Sequence, residues 1–230
     1  MCFSATSSFT VAVVSATAGA YCLTRAPDTR TRPMASMPLI FGAHQAVEGL
    51  VWLEITHSPQ NMASGLPVFM FLAIATVFWP AFTPFAIRRA EPDERRRKWL
   101  NVFLVLGVGV AVFNAVKLAT SSVSAEHLAR SIRYSLEPNA SSPLPDFLVS
   151  AKIANLDWIL APYAVAAVGS LLVSSFAQIR WFGAFLTIAL VVLFFVDRTH
   201  LLSVWCFLAA ASSVLIALLM RDLHVQRFAS

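Results

Sequence analysis

Residues 37–55, MPLIFGAHQAVEGLVWLEI, decide how this chain folds. The stretch is apolar and close to the roughly 20 residues that a helix needs to cross the hydrocarbon of a bilayer. Yet it carries His44 and Glu48, the carboxylate lying one helical turn from the imidazole and far from either end. A charge at the bilayer centre costs about 2.5–3.5 kcal/mol on insertion scales, so such a residue turns toward a protein interior or water. The i, i+4 spacing puts both side chains on one helix face. The pair therefore points to a site without naming its chemistry.

Composition extends this reading to the whole chain. Of 230 residues, 58% are hydrophobic and only 13% charged, against a soluble average near 25% charged. The first apolar run, from Ala5 to Leu23, lacks the basic segment of a cleaved signal and reads as a retained span. Net charge is +5 and the pI about 9.6. The basic residues lie in short loops between apolar runs, so the membrane accounts for them and a nucleic-acid partner is not expected. Cys2, Cys22 and Cys206 show no paired spacing, so neither a disulfide framework nor a zinc knuckle is implied.

Seven apolar runs can be delimited, at about 5–23, 37–56, 66–87, 99–120, 150–174, 179–196 and 199–220. The expected fold is all-α, a single polytopic seven-transmembrane-helix bundle. One side of that arrangement collects Arg25, Arg30, Arg32, Arg88, Arg89, Arg95, Arg96, Arg97, Lys98, Arg180, Arg221 and Arg227. The positive-inside rule then places the N-terminus outside and the C-terminus in the cytoplasm. The 88–98 segment, RRAEPDERRRK, reads as a solvated topology determinant that meets lipid headgroups. The longest connection, 121–146, lies outside. Its SAEHLARSIRYSLE stretch, 124–137, reads as a short interfacial helix before the breaker-rich PNASSPLP.

With direction assigned, the polar groups inside the spans collect in the outer half. Span 2 supplies His44, Glu48 and Trp52; span 4 supplies Asn114 and Lys117; span 5 supplies Lys152, Asn155 and Asp157; span 7 supplies His200 and Ser203. The expectation is a polar, outward-facing cavity floored near Glu48. Glu48, Glu54 and Asp157 would be matched by Lys117 and Lys152, making spans 2, 4 and 5 neighbours. A hydrogen-bonded His44–Glu48 pair is expected. The competing interpretation is that these groups only tie helices together, at about 0.6 kcal/mol per bond. Metal donors are weak: Cys2, His44, Glu48, His200 and Cys206, with no HxxxH or HExxH spacing. No catalytic residue or cofactor can be named. Pro80, Pro84 and Pro162 should kink their helices. The GVG around Gly107 and the AAASS at 209–213 suit close helix approach.

The opening MCFSATSSF, the HQAVEGLVWL of span 2 and the SLLVSS…SVWCFLAAASSVLIALL ending resemble a family of uncharacterised bacterial integral membrane proteins, a domain of unknown function. The resemblance covers nearly the whole chain. Its patterns fall on Met1, Cys2, Phe3, Ser4 and Ala5, on Glu48, Gly49 and Trp52, and on Trp205, Cys206 and Phe207. It implies a seven-span, multi-pass protein of the bacterial inner membrane and supplies no activity. It also implies Gln in many relatives where His44 stands, which weakens an essential-ligand role for that residue.

The function expected is binding of a small molecule or ion in the outward cavity, as a transporter or sensor. The alternative is a membrane-embedded, metal-dependent enzyme acting on a lipid. The histidines are too few and scattered for the latter, with His57, His127 and His224 outside the hydrocarbon. Spans 1–3 do not repeat as spans 5–7, and span 7 has no lysine for a retinal Schiff base. Expected partners are the bilayer and that ligand; a homo-oligomer stays open.

Overall fold

The computed structural model describes residues 4–128, 131–139, 152–153, 156–196 and 201–229. Their order is α1 (Ala5–Arg25), α2 (Arg32–Ala35), α3 (Met37–His57), β1 (Met62–Ala63), α4 (Leu66–Leu72), a π-helical turn (Ala73–Phe78), α5 (Trp79–Ala90) and α6 (Glu94–Ala119). There follow β2 (Ser121–Leu128), β3 (Ser131–Pro138), β4 (Lys152–Ile153), β5 (Leu156–Asp157), α7 (Leu160–Val173), α8 (Ala177–Val196), α9 (Leu201–Ser212) and α10 (Val214–Ala229). Helix dominates, and each apolar run read from sequence contributes a helix.

Local chemistry sets the boundaries. Ser4 caps α1 by accepting from Ser7 N, and the Ser7 hydroxyl returns a bond to the Ser4 backbone. Asp93 caps α6 through Arg96 N at 2.7 Å. Helix α5 ends just before Glu91–Pro92, where the proline disfavours helical backbone in the preceding residue.

Among the described residues, five helices are long and apolar enough to cross a membrane: Ala5–Arg25, the continuous Leu66–Ala90, Glu94–Ala119, Ala177–Val196 and Leu201–Val225. Helix α3 has the length, 21 residues, but its buried His44, Gln45 and Glu48 keep it out of that group. The fifth run is shorter than the sequence suggested. Helix α7 starts at Leu160 and not near 150, because residues 152–157 contain the β4–β5 pairing. Pro162 therefore sits in the first turn of α7, where its missing N–H is harmless, and does not kink a mid-span helix.

Helix α1 packs along α3, and α3 in turn meets α4 and α9; α6 packs on α5, the π turn and α7. The expected grouping of spans 2, 4 and 5 is thus replaced: the principal neighbours of α3 come from the first, third and last runs. Close backbone approaches require glycine, as Gly42 and Gly107 illustrate. A Cβ on Gly42 would lie 2.8 Å from the Ala12 carbonyl, and one on Gly107 would overlap the Pro80 carbonyl outright.

The two ends of the bundle differ. At the basic end, Arg96 Nη1 donates to the Val173 and Ser174 carbonyls at 3.0 and 2.9 Å. Arg180 Nη1 donates to Ser174 and Ser175 oxygens at 2.9 and 2.8 Å. Buried Glu91 accepts from Ser175 N at 2.8 Å and from its hydroxyl. The two arginines satisfy orphan carbonyls at the C-terminus of α7, and Glu91 takes up the Ser175 donors that follow it. Trp99 and Trp181 lie near this end, 60% and 73% exposed, as membrane-interface tryptophans do.

The opposite end carries a three-stranded antiparallel sheet, β1–β2–β3, with Glu126 opposite Arg133 and Ala125 opposite Tyr134. The expected interfacial helix over 124–137 is a β-hairpin. The reason is legible afterwards: Ile132, Tyr134 and Leu136 alternate with Arg133, Ser135 and Glu137, a period of two. The apolar face packs on Trp52, Ile55, Phe71 and Leu72, and Arg133 and Glu126 form an ion pair across the strands. The fold is therefore a mostly helical bundle with a β cap, and not helix alone.

Candidate functional site

Along α3 the two apolar cores are separated by polar side chains. Met37 and Phe41 belong to the core toward the basic end, and Val51, Trp52 and Ile55 to the core beneath the sheet. His44, Gln45 and Glu48 lie between them, at 0%, 0% and 1% exposure. Glu48, expected at the floor of an outward cavity and bonded to His44, is buried here and has other partners. Its Oε1 accepts from the Ser203 hydroxyl of α9 at 2.5 Å, and its Oε2 from Gln45 Nε2 at 2.9 Å. Both bonds are to an acceptor that carries charge when ionised, the stronger class.

His44 does not bond Glu48. Its Nε2 donates to the Phe71 carbonyl at 3.2 Å, and its Nδ1 accepts from Trp79 Nε1 at 3.4 Å. A carbonyl can only accept and an indole N–H can only donate, so this geometry assigns the neutral Nε2–H tautomer. His44 also stacks on Phe71 at 4.5 Å, and the other neighbour of Phe71 is Tyr134 of the sheet at 4.3 Å. An aromatic column thus links α3 to the β cap.

Three buried polar atoms here have no hydrogen-bond partner among the described residues: Gln45 Oε1, Trp52 Nε1 and the Tyr134 hydroxyl. Burial pushes the Tyr134 phenol well above its ordinary range, and the nearby Glu48 and Cys206 add to the shift. Tyr134 is thus a neutral hydroxyl sealed over the acid. The opening expected above Glu48 is covered here by the sheet. Toward the basic end, beyond Cys206, lies a cavity of about 30 Å³, room for a water or two. Its walls are apolar, formed chiefly by Phe41, Trp79, Tyr163, Phe182 and Trp205.

The π turn is the second feature that the sequence did not disclose. Pro80 has no N–H to give the Thr76 carbonyl, and Trp79 N bonds Ile74 O, so the Ala75 carbonyl is also left over. Asn114 Nδ2 donates to Thr76 O and the Tyr163 hydroxyl to Ala75 O, both at 2.9 Å. Asn114, singled out as a cavity residue, is thereby a backbone partner of the π turn. Tyr163 was missed, since a tyrosine in an apolar run carries no signal of what its hydroxyl meets.

The remaining candidates fall as follows. Trp52 is buried beneath the sheet, edge-to-face with His127 at 5.2 Å. Lys117 is buried near the end of α6. Lys152 and Asp157 are register partners in the β4–β5 ladder. Asn155, His200 and Cys2 lie outside the described residues. Glu54 is not held by a lysine among the described residues. Its Oε1 accepts from Ser64 N and Gly65 N at 3.3 and 3.0 Å, fixing the chain just before α4. No group of three His, Cys, Asp or Glu side chains among the described residues is placed to share a metal ion. Both ring nitrogens of His44 are already engaged.

Fold and site together give a mostly helical protein, its long apolar helices compatible with a multi-pass membrane protein, with one buried carboxylate under a β cap. The chain belongs to a family of unknown function, DUF6629, which matches residues 1–229. No curated protein and no solved structure matches it.

Proposed function

We propose that this chain crosses the bacterial inner membrane seven times and binds a small molecule or ion at the Glu48 cluster, as a transporter or sensor. The crossings would be Ala5–Arg25, Met37–His57, Leu66–Ala90, Glu94–Ala119, Leu160–Val173, Ala177–Val196 and Leu201–Val225. The fifth, at 14 residues, reaches only about 21 Å, a mismatch that local thinning of the bilayer accommodates. The basic end would face the cytoplasm, so the β cap would close the cluster from outside.

One observation supports the binding reading above the rest. A buried carboxylate is held by two neutral donors, while a neighbouring amide oxygen and the phenol above it lack partners. Interhelical ties alone would leave no such spare capacity in an apolar setting, where each unmet group is costly. Access would require the β cap to shift, which makes this arrangement the occluded form.

Native mass spectrometry of the full chain, released gently from its membrane, tests the reading. A small adduct is expected on the wild type and absent from Glu48→Gln. Identical spectra without an adduct would contradict it.

A further inference from the structure

The hydrogen-bonding character of the cluster narrows what it takes. This inference rests on the binding reading above and names the ligand class. The Glu48 carboxylate fixes the Gln45 amide with its nitrogen toward the acid, so the free atom is the acceptor Oε1. Beside the acid on α3 two vacant positions are acceptors, the Gln45 amide oxygen and the unfilled lone pairs of the carboxylate, while the vacant donor Trp52 Nε1 lies one turn beyond Glu48. No cationic side chain among the described residues bonds Glu48. A ligand bearing a positive charge and N–H donors complements both.

The cavity supplies the second half. Gln45 is one turn from Phe41 and Ser203 one turn from Cys206, so the two donors that hold the acid neighbour cavity-wall residues on their own helices. Aromatic rings from Phe41, Trp79, Tyr163 and Trp205 surround a void with almost no polar lining. Such rings suit the hydrocarbon part of a cationic ligand, and their faces favour positive charge. Inorganic cations would use the acid but leave the aromatic slot idle.

We infer that the Glu48–Gln45 cluster binds a protonated primary or secondary amine whose apolar body enters the aromatic slot next to Cys206. The ammonium donates to Glu48 and Gln45 Oε1, and the slot widens as the side chains part.

The test is thermal unfolding of the full-length purified protein at neutral pH. The probes are benzylamine and n-butylamine, the isosteric benzyl alcohol and n-butanol, and sodium or potassium chloride. The amines should raise the midpoint with concentration and the alcohols should not. Glu48→Gln should abolish the shift, and Gln45→Met should weaken amine binding by about tenfold. A Glu48-dependent shift with sodium or potassium alone would overturn the amine while keeping an ion site. Equal shifts from amines and alcohols, or shifts that survive Glu48→Gln, would overturn the role of the acid. No shift with any probe would overturn the ligand class, and the adduct experiment then decides whether the parent reading stands. Should Glu48→Gln fail to fold, unchanged amine affinity in Gln45→Met overturns the proposal.

Discussion

Glu48 is held by bonds whose worth can be measured one at a time. Ser203→Ala removes the 2.5 Å donor without adding bulk, and a bond to a charged acceptor contributes about 1.5–3 kcal/mol. The expected result is a loss of that size in chemical unfolding; an unchanged midpoint would mean that the acid does not rely on α9. Ser203→Thr keeps the hydroxyl and should recover most of the loss. At this scale the sequence was informative about position and poor about partnership. A carboxylate inside an apolar run announces itself, whereas its partners depend on which helices meet. Gln45 was available to inspection as an amide three residues from Glu48 on the same helix. It was overlooked because His44 offered a more familiar pairing. Tyr134 and Tyr163 gave no warning, since a phenol suits both lipid interfaces and cores.

The π turn before Pro80 is where element-scale reasoning is most testable. Asn114 compensates for the N–H that Pro80 lacks, so the two residues should be coupled. Asn114→Leu strands the Thr76 carbonyl and is expected to destabilise the wild type by about 1–3 kcal/mol. In a Pro80→Ala background, the N–H of the introduced alanine can serve that carbonyl, and the same substitution should cost markedly less. A double-mutant cycle on unfolding free energies reads the coupling, and purely additive values would refute the compensation. Gly107→Ala tests the neighbouring contact, since its Cβ would run into the Pro80 carbonyl. Such overpacking costs about 1–3 kcal/mol, read as a lowered unfolding midpoint. Each of the seven apolar runs overlaps helix in the structure, because hydropathy over about 20 residues is a strong signal, while the helix ends depart from the runs most at Leu160 and in the last run. The β-hairpin was misread as a helix because polar and apolar residues mixed over 124–137 satisfy both periods loosely. Only packing of Ile132, Tyr134 and Leu136 onto the bundle decides between them.

For the molecule as a whole, the account joins three layers: a basic end latched by Arg96, Arg180 and Glu91, an apolar bundle divided by a polar belt, and a β cap over that belt. Charge asymmetry is the ground on which we propose a cytoplasmic C-terminus, and a C-terminal reporter pair checks it. Fluorescent protein should light up and alkaline phosphatase stay inactive if the tail is cytoplasmic; the reverse would invert the assignment. The outward cavity was inferred from where polar residues cluster by depth, but sequence cannot say whether a loop fills the opening, as the hairpin does here. Cys206, buried beside the acid and lining the aromatic slot, is a native reporter of access once Cys2 and Cys22 are replaced by serine and alanine. The most direct measurement is its alkylation rate by a membrane-impermeant thiol reagent added from the periplasmic side. The account predicts slow labelling that accelerates at least tenfold in Tyr134→Ala, which removes the ring sealing the belt. Labelling only from the cytoplasmic side, or a rate indifferent to Tyr134→Ala, would contradict it.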